Sequence, residues 1–155
     1  MTSQMNSYFE ELSKAFKDVH HMINVTYKFV KEPKLLLTIL DKLYDISIKL
    51  IDIILYDNYS RKNISLIPKT NEAKIVLFDE KLSPLYDFGE DLVELIKHID
   101  HLKQIQKKSL VISKDNKVVF YIDNYTTEIF SLDDANQIYH DLYFYFEELK
   151  KEISS

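Results

Sequence analysis

The stretch from Leu35 to Leu55, LLLTILDKLYDISIKLIDIIL, has the length and hydrophobicity of a membrane span, but charged residues interrupt it. The charges recur at steps of four, four and three, so they share one narrow face of a helix: Asp41, Asp45, Lys49 and Asp52. Burying each of them in a bilayer would cost about 2.5–3.5 kcal/mol. The pattern therefore predicts the central helix of a water-soluble bundle, packed by neighbours on two sides or by a second copy of the chain.

The bulk composition is that of a globular domain. The chain has 155 residues, of which 46% are apolar and 29% charged, and a chain of this length can bury about two thirds of its unfolded surface. It contains no cysteine, which excludes disulfides, thiolate metal sites and a cysteine nucleophile. The segment MTSQMNSYFEELSKAF lacks the basic and apolar regions of a secretory signal, so we expect a cytoplasmic protein with no membrane among its partners.

The charge balance argues against nucleic acid as the main partner. The net charge is −5, whereas non-specific affinity for phosphate backbones rests on summed positive charge. Arg61 is the only arginine among 20 basic residues, and lysine lacks the planar fork that binds phosphates or guanine in a bidentate manner. Nucleic acid stays a possible partner, but it is not the favoured one.

Steps of three and four between apolar residues predict helices on both sides of the central one. Pro33 separates the first helix from the second, because proline disfavours helix in the residue before it. The predicted segments are a helix from about Ser3 to Lys31, a connection from Tyr56 to Lys69, a helix after the cap Thr70 that stops before Pro84, and a helix from about Leu85 to Lys107.

The pattern then changes to short runs rich in β-branched and aromatic residues, at 109–113, 118–122 and 126–130. They predict an antiparallel hairpin or three-stranded meander. Ser131 and Asp134 form a capping box that opens a last helix, to about Ile153. We therefore predict an α+β fold that is mostly α, in one domain over residues 1–155: a helical bundle of long antiparallel helices at 1–107, a β element at 108–130 and a C-terminal helix at 131–153.

The best metal-like cluster is Glu94, His98 and His101, since steps of four and three place all three on one helix face. A surface histidine pair is the competing interpretation and the favoured one, so we expect no metal and no cofactor. The stripe with Asp45 is better explained by solvation than by magnesium, because Lys49 lies within it and forms an i, i+4 pair with Asp45. No residue pattern marks a catalytic site.

Aromatic residues surround most of the last helix in the stretch YHDLYFYFEEL. One side must face the core, while the other exposes aromatic surface unless a partner covers it. Tyrosine is favoured where a ring is buried and its hydroxyl stays wet, as at protein interfaces. We therefore predict partner contacts at Tyr139, Tyr143 and Tyr145.

The layout of two long helices, a shorter helix pair, the stretch VISKDNKVVFYIDNY and a last helix resembles small helical proteins of archaea. More distantly, the first 105 or so residues resemble the HEPN group, whose ribonuclease members dimerise and carry arginine, four to six residues, then histidine near the start of a late helix. Here Arg61 is followed by KNISLI without a histidine and lies in a predicted connection. No catalytic residue carries over, so the resemblance implies a non-catalytic binding or dimerisation module.

Two functions follow as hypotheses. The favoured one is a non-enzymatic interaction or dimerisation module that binds a protein partner or a second copy, because the second and last helices have surplus apolar surface. The alternative is a divergent HEPN-type ribonuclease toxin or the partner of one. That activity would need His98, His101 or His140 as acid–base groups, since histidine titrates near neutral pH.

Overall fold

The computed structural model describes residues 2–123 and 125–154. The helices of this part are α1 (Ser3–His21), α2 (Tyr27–Val30), α3 (Leu35–Ser60), α4 (Asn71–Leu77), α5 (Gly89–Lys108) and α6 (Leu132–Ser154). A π-helical turn at Met22–Thr26 joins α1 to α2, a second at Phe78–Leu82 follows α4, and a 3₁₀ turn occupies Ser83–Leu85. The strands are β1 (Leu110–Lys114), β2 (Lys117–Tyr121) and β3 (Thr127–Ser131). The predicted α+β fold, mostly α with a meander before the last helix, is confirmed.

The four long helices alternate in direction. Residues near the start of one helix contact residues near the end of the next, as Tyr8 does with Tyr56, whose ring centroids lie 5.6 Å apart. The same reversal relates α3 to α5 and α1 to α6. The contacts that show it are the ion pair of Asp41 with Lys103 and the ring contact of Phe9 with Phe146.

The stretch from Leu35 to Leu55 lies at the centre of this bundle. α3 packs against α1, α4, α5, α6 and β2, so the chain itself covers nearly the whole circumference. No helix in the described part of the chain is long and apolar enough to cross a membrane. Of the two predicted arrangements, the structure has the one in which neighbouring helices of the same chain do the packing. The buried apolar residues of α3 are Leu36, Ile39, Leu40, Leu43, Ile46, Ile48, Leu50, Ile51, Ile53, Ile54 and Leu55.

The charged stripe of α3 connects it to three other helices. Lys49 Nζ lies 3.3 Å from a carboxylate oxygen of Glu11, Asp52 Oδ1 lies 2.9 Å from Lys74 Nζ, and Asp41 pairs with Lys103. The expected ion pair of Asp45 with Lys49 is not among those that the described residues form. Residues four apart on a helix can meet, but here the carboxylate of Glu11 on α1 takes the lysine instead.

α3 continues to Ser60, five residues further than expected, so the predicted connection from Tyr56 is wrong in its first part. The helix ends in a Schellman motif. Asn63 N donates to the carbonyl of Asn58 at 2.9 Å and Lys62 N donates to that of Tyr59 at 3.1 Å, with Lys62 left-handed at φ 66°. Glycine is the usual residue at that position, and its absence hid the helix end.

The meander has the order β1-β2-β3 with both pairs antiparallel. Its inner face carries the fully buried Val118, Phe120 and Phe130, which join the helices in one core. The predicted capping box opens α6: Asp134 N donates to Ser131 Oγ and Ser131 N donates to Asp134 Oδ2, both at 3.0 Å. The sheet thus covers the end of the bundle at which α5 ends and α6 begins.

Candidate interaction surfaces

The three tyrosines predicted to bind a partner do not form one surface. Tyr139 is only 8% exposed and packs edge-on against Phe16 of α1, with ring centroids 5.8 Å apart. Tyr143 stacks against Tyr139 at 6.2 Å and is 42% exposed. Tyr145 points to the other side of α6, where its ring lies 5.9 Å from that of Phe88. Tyr143 is therefore the member of the set that offers the most area to a partner.

The pKa of each of these three tyrosine hydroxyls lies above the ordinary value. Burial raises the pKa of Tyr139 and of Tyr145 above the ordinary tyrosine value, because the charged form loses its hydration. The carboxylate of Glu147 raises the pKa of Tyr143 through charge repulsion. These side chains are neutral hydrogen-bonding groups at physiological pH. They suit a structural or binding role and give no nucleophile.

A shallow cavity of about 290 Å³ opens beside this group, between α1 and α6. Its lining includes Phe16, His20, Tyr139 and Tyr143. The volume suits one inserted side chain of a partner. Phe144 on the next position of α6 is 53% exposed and adds apolar area that points away from the cavity.

Glu94, His98 and His101 all lie on the exposed side of α5. Among the described residues no group of three or more His, Asp or Glu is arranged to hold a metal ion. His101 instead has its Nε2 atom 2.6 Å from Oε1 of Glu128, which ties α5 to β3. This contact gives His101 a structural role that joins the helices to the sheet.

The outer face of the sheet is the surface that the sequence interpretation missed. Side chains alternate across a strand, so this face takes every second residue of each strand. This face carries apolar side chains on all three strands, whereas a sheet face that is exposed to water usually carries polar side chains. They are Leu110 (67% exposed), Ile112 (45%), Tyr121 (41%), Ile129 (50%) and the half-buried Val119.

The strand pairing brings these residues together in rows. Val119 lies opposite Ile112 on one side and opposite Ile129 on the other, so three branched side chains cross the middle of the face. Leu110 pairs with Tyr121 in the next row. Directly opposed side chains in a sheet are about 5 Å apart, which makes the surface continuous.

One end of this outer face carries two lysines and the other a single carboxylate, while Asp115 in the β1–β2 turn adds an acidic group at the lysine end. Lys114 and Lys117 are cross-strand partners beside the β1–β2 turn. Asp123 follows β2 at the other end, where its Oδ1 accepts hydrogen bonds at 2.8 Å from the backbone N–H groups of Tyr125 and Thr126. These bonds, chiefly that from Tyr125, lower the pKa of Asp123, so the carboxylate is ionised at neutral pH.

The strands contained a signal of this surface. LVIS and VVFY place apolar residues at odd and even positions alike, which is typical of strands covered on both faces.

Arg61, which departs from the HEPN motif, forms an ion pair with Asp57 at 3.2 Å, one turn earlier in α3. Comparisons of the chain with protein-family models, with curated proteins and with solved structures found no match.

Proposed function

We propose that this protein is a non-enzymatic dimerisation module whose two copies pack through the outer faces of their sheets. The observation that carries the proposal is the continuous apolar surface on β1, β2 and β3. Covering this patch with a partner would be favourable, because its burial removes hydrophobic area from water. The proposal retains the interaction module expected from the sequence and moves its main surface from α6 to the sheet.

α3 gives no further reason for a dimer, because the chain's own helices cover it. The other helix with surplus apolar surface, α6, buries Tyr139 against α1 and half-buries Tyr145 against Phe88. Tyr143 and Phe144 stay as a smaller second surface. The sheet offers the larger contiguous area.

A second copy of this chain is the occupant that the charges favour. The symmetric face-to-face arrangement with antiparallel β2 strands places the lysine end of one sheet over the Asp123 end of the other. Lys114 and Lys117 of each copy then lie near a carboxylate of opposite charge. The parallel arrangement would bring lysines against lysines, so charge complementarity selects the antiparallel two-fold dimer.

The area of the outer face determines how tightly two copies of the chain are expected to bind each other. Three strands of five residues cover about 14 Å by 17 Å from the usual strand spacing and rise. A standard interface buries about 800 Å² from each partner, so this face alone is small. Ile122 and Tyr125 are exposed beyond the end of β2, outside the paired strands. We expect a dimer with a dissociation constant in the micromolar range or weaker.

Sedimentation equilibrium from about 1 µM to about 1 mM tests the dimer, since this range spans the affinities of small interfaces. Ile129→Lys should leave a monomer, because it places a charge in the central row. Val76→Lys is the matched control: Val76 is also 50% exposed but lies on α4, and this variant should dimerise like the natural chain. A carbodiimide should cross-link Lys114 or Lys117 of one copy to Asp123 of the other.

A natural chain that is monomeric at about 1 mM would refute the dimer. A dimer that resists Ile129→Lys but is lost in Phe144→Ser would move the interface to α6. We further propose a cytoplasmic location, which suits a chain without cysteine.

A further inference from the structure

At the opposite end of the bundle from the sheet, a cleft of about 770 Å³ lies between the last turn of α3, the loop after it and the second π-helical turn. Ligand sites for small molecules have volumes of about 300–1,000 Å³. We propose that this cleft binds a small organic anion: a carboxylate or phosphate head on an aromatic body. The site is separate from the dimer surface, since α3 is roughly 39 Å long.

The charged residues that line the cleft are all basic. Lys62 and Lys81 line the cleft, and none of its lining residues in the described part of the chain is acidic. Neither lysine takes part in an ion pair among the described residues, although the chain as a whole has a net charge of −5. Two unpaired cations at one concave site attract an anion and keep it there.

The lining of the cleft contains both polar and apolar residues. Ser60, Asn63 and Ser65 also line the cleft, and the serine hydroxyls can donate to the oxygens of a carboxylate or phosphate. The remaining wall is apolar and contains two aromatic rings. It consists of Tyr56, Tyr59, Ile64, Leu66 and Leu77. Rings favour an aromatic body, because offset and edge-on contacts between rings add to area burial.

The loop that holds Lys62 is built rigidly. Asn58 is only 2% exposed, and its Nδ2 donates to the carbonyl of Ile54 at 2.8 Å and to Tyr86 Oη at 2.9 Å. Its Oδ1 accepts from Asn63 Nδ2 at 2.8 Å. Together with the Schellman bonds these contacts fix the backbone on both sides of Lys62. A preorganised loop reduces the ordering cost of binding.

The left-handed φ of Lys62 makes a clean variant available. Glycine adopts φ 66° without a Cβ penalty, so Lys62→Gly removes the cation without weakening the loop. Lys31 is the matched control, because it has φ 52° at the end of α2 and does not line the cleft. Lys81→Gln removes the second cation. Each variant should melt at a temperature no lower than the natural chain by more than a few degrees.

Amide chemical shifts of the ¹⁵N-labelled full chain are measured during titration with 3-phenylpropionate and with phenyl phosphate. We expect shifts at residues 60–66 with at least one of them, and the two probes show which head is preferred. Lys62→Gly and Lys81→Gln should each weaken binding about five- to tenfold, while Lys31→Gly should bind like the natural chain. Ile129→Lys should also bind normally, which separates this site from the proposed dimer.

Two matched probes remove one half of the ligand each. The neutral 3-phenylpropanamide keeps the ring and lacks the charge, and acetate keeps the charge and lacks the ring. Both should bind at least about tenfold more weakly than the aromatic anion that binds more tightly. The proposal is overturned if neither aromatic anion shifts the amide signals of residues 60–66, or if 3-phenylpropanamide or acetate binds as tightly as the aromatic anions. It is also overturned if Lys31→Gly weakens binding as much as Lys62→Gly.

Discussion

Replacing Gly89 by alanine should destabilise the protein, although alanine is the better helix former. Gly89 is buried in the first turn of α5. A Cβ atom built there would lie 1.8 Å from the carbonyl oxygen of Ser83 and 2.6 Å from its carbonyl carbon. Both atoms belong to the backbone, so no side-chain rotation can relieve the overlap.

The size of the effect follows from the distances. The two segments must separate by about 1.2 Å before the new contact reaches 3.0 Å, the shortest distance that real Cβ atoms show. That movement strains the 3.2 Å hydrogen bond that Tyr86 N donates to the Ser83 carbonyl. Overpacking of this kind costs about 3 kcal/mol, and helix propensity returns at most about 1 kcal/mol. We expect a net loss of about 2–3 kcal/mol.

Urea denaturation followed by circular dichroism at 222 nm measures this loss. With a slope of about 2 kcal/mol/M, the midpoint should fall by about 1–1.5 M. Glu90→Ala, at the exposed neighbouring position, is the control and should change stability by less than about 1 kcal/mol. Adding Ser83→Gly to Gly89→Ala should not restore stability, because the overlap is with the backbone. A variant at Gly89 as stable as the natural chain would refute the steric argument.

Two further changes test local contacts. Ser131→Ala should cost about 1 kcal/mol in urea denaturation, because Ser131 Oγ accepts the N–H of Asp134 in the capping box; an unchanged midpoint would contradict this role. Burial raises the pKa of Tyr86, so its stabilising effect is complete below the unfolded value of about 10 and is lost as pH rises through the folded value. Melting temperature should therefore fall above pH 10, and less steeply in Tyr86→Phe, which also loses the Asn58 hydrogen bond and is less stable at neutral pH. Equal slopes in the two proteins would show that Tyr86 does not govern the alkaline loss.

The secondary structure was largely predictable because its signals are local. The steps between Asp41, Asp45 and Lys49 on α3 define a helix face without reference to any other part of the chain. The capping box of Ser131 and Asp134 is a local hydrogen-bond pair, and it formed as predicted. The end of α3 was predicted five residues too early, because Lys62 occupies a left-handed position where glycine is the usual residue. The local signal of the helix end was therefore absent.

The surfaces were harder to predict, since exposure depends on what packs against a residue. Tyr139 and Tyr143 are one helical turn apart, chemically identical and both in ring contact with Phe16, yet Tyr139 is 8% exposed and Tyr143 is 42% exposed. The cleft at Lys62 joins residues of α3 to Leu77, the last residue of α4, and to Lys81 in the π-helical turn after it. No spacing rule predicts such a meeting.

The sequence by itself determined the helices, the meander and the placement of charge on α3, because periodicity and caps act over a few residues. Only the tertiary structure decided which apolar faces were covered. α3 is enclosed by its own chain, whereas no helix of residues 2–123 and 125–154 covers the outer side of the sheet. The physical reason is that burial is a property of pairs of distant segments, and hydrophobic free energy is gained only where two of them meet.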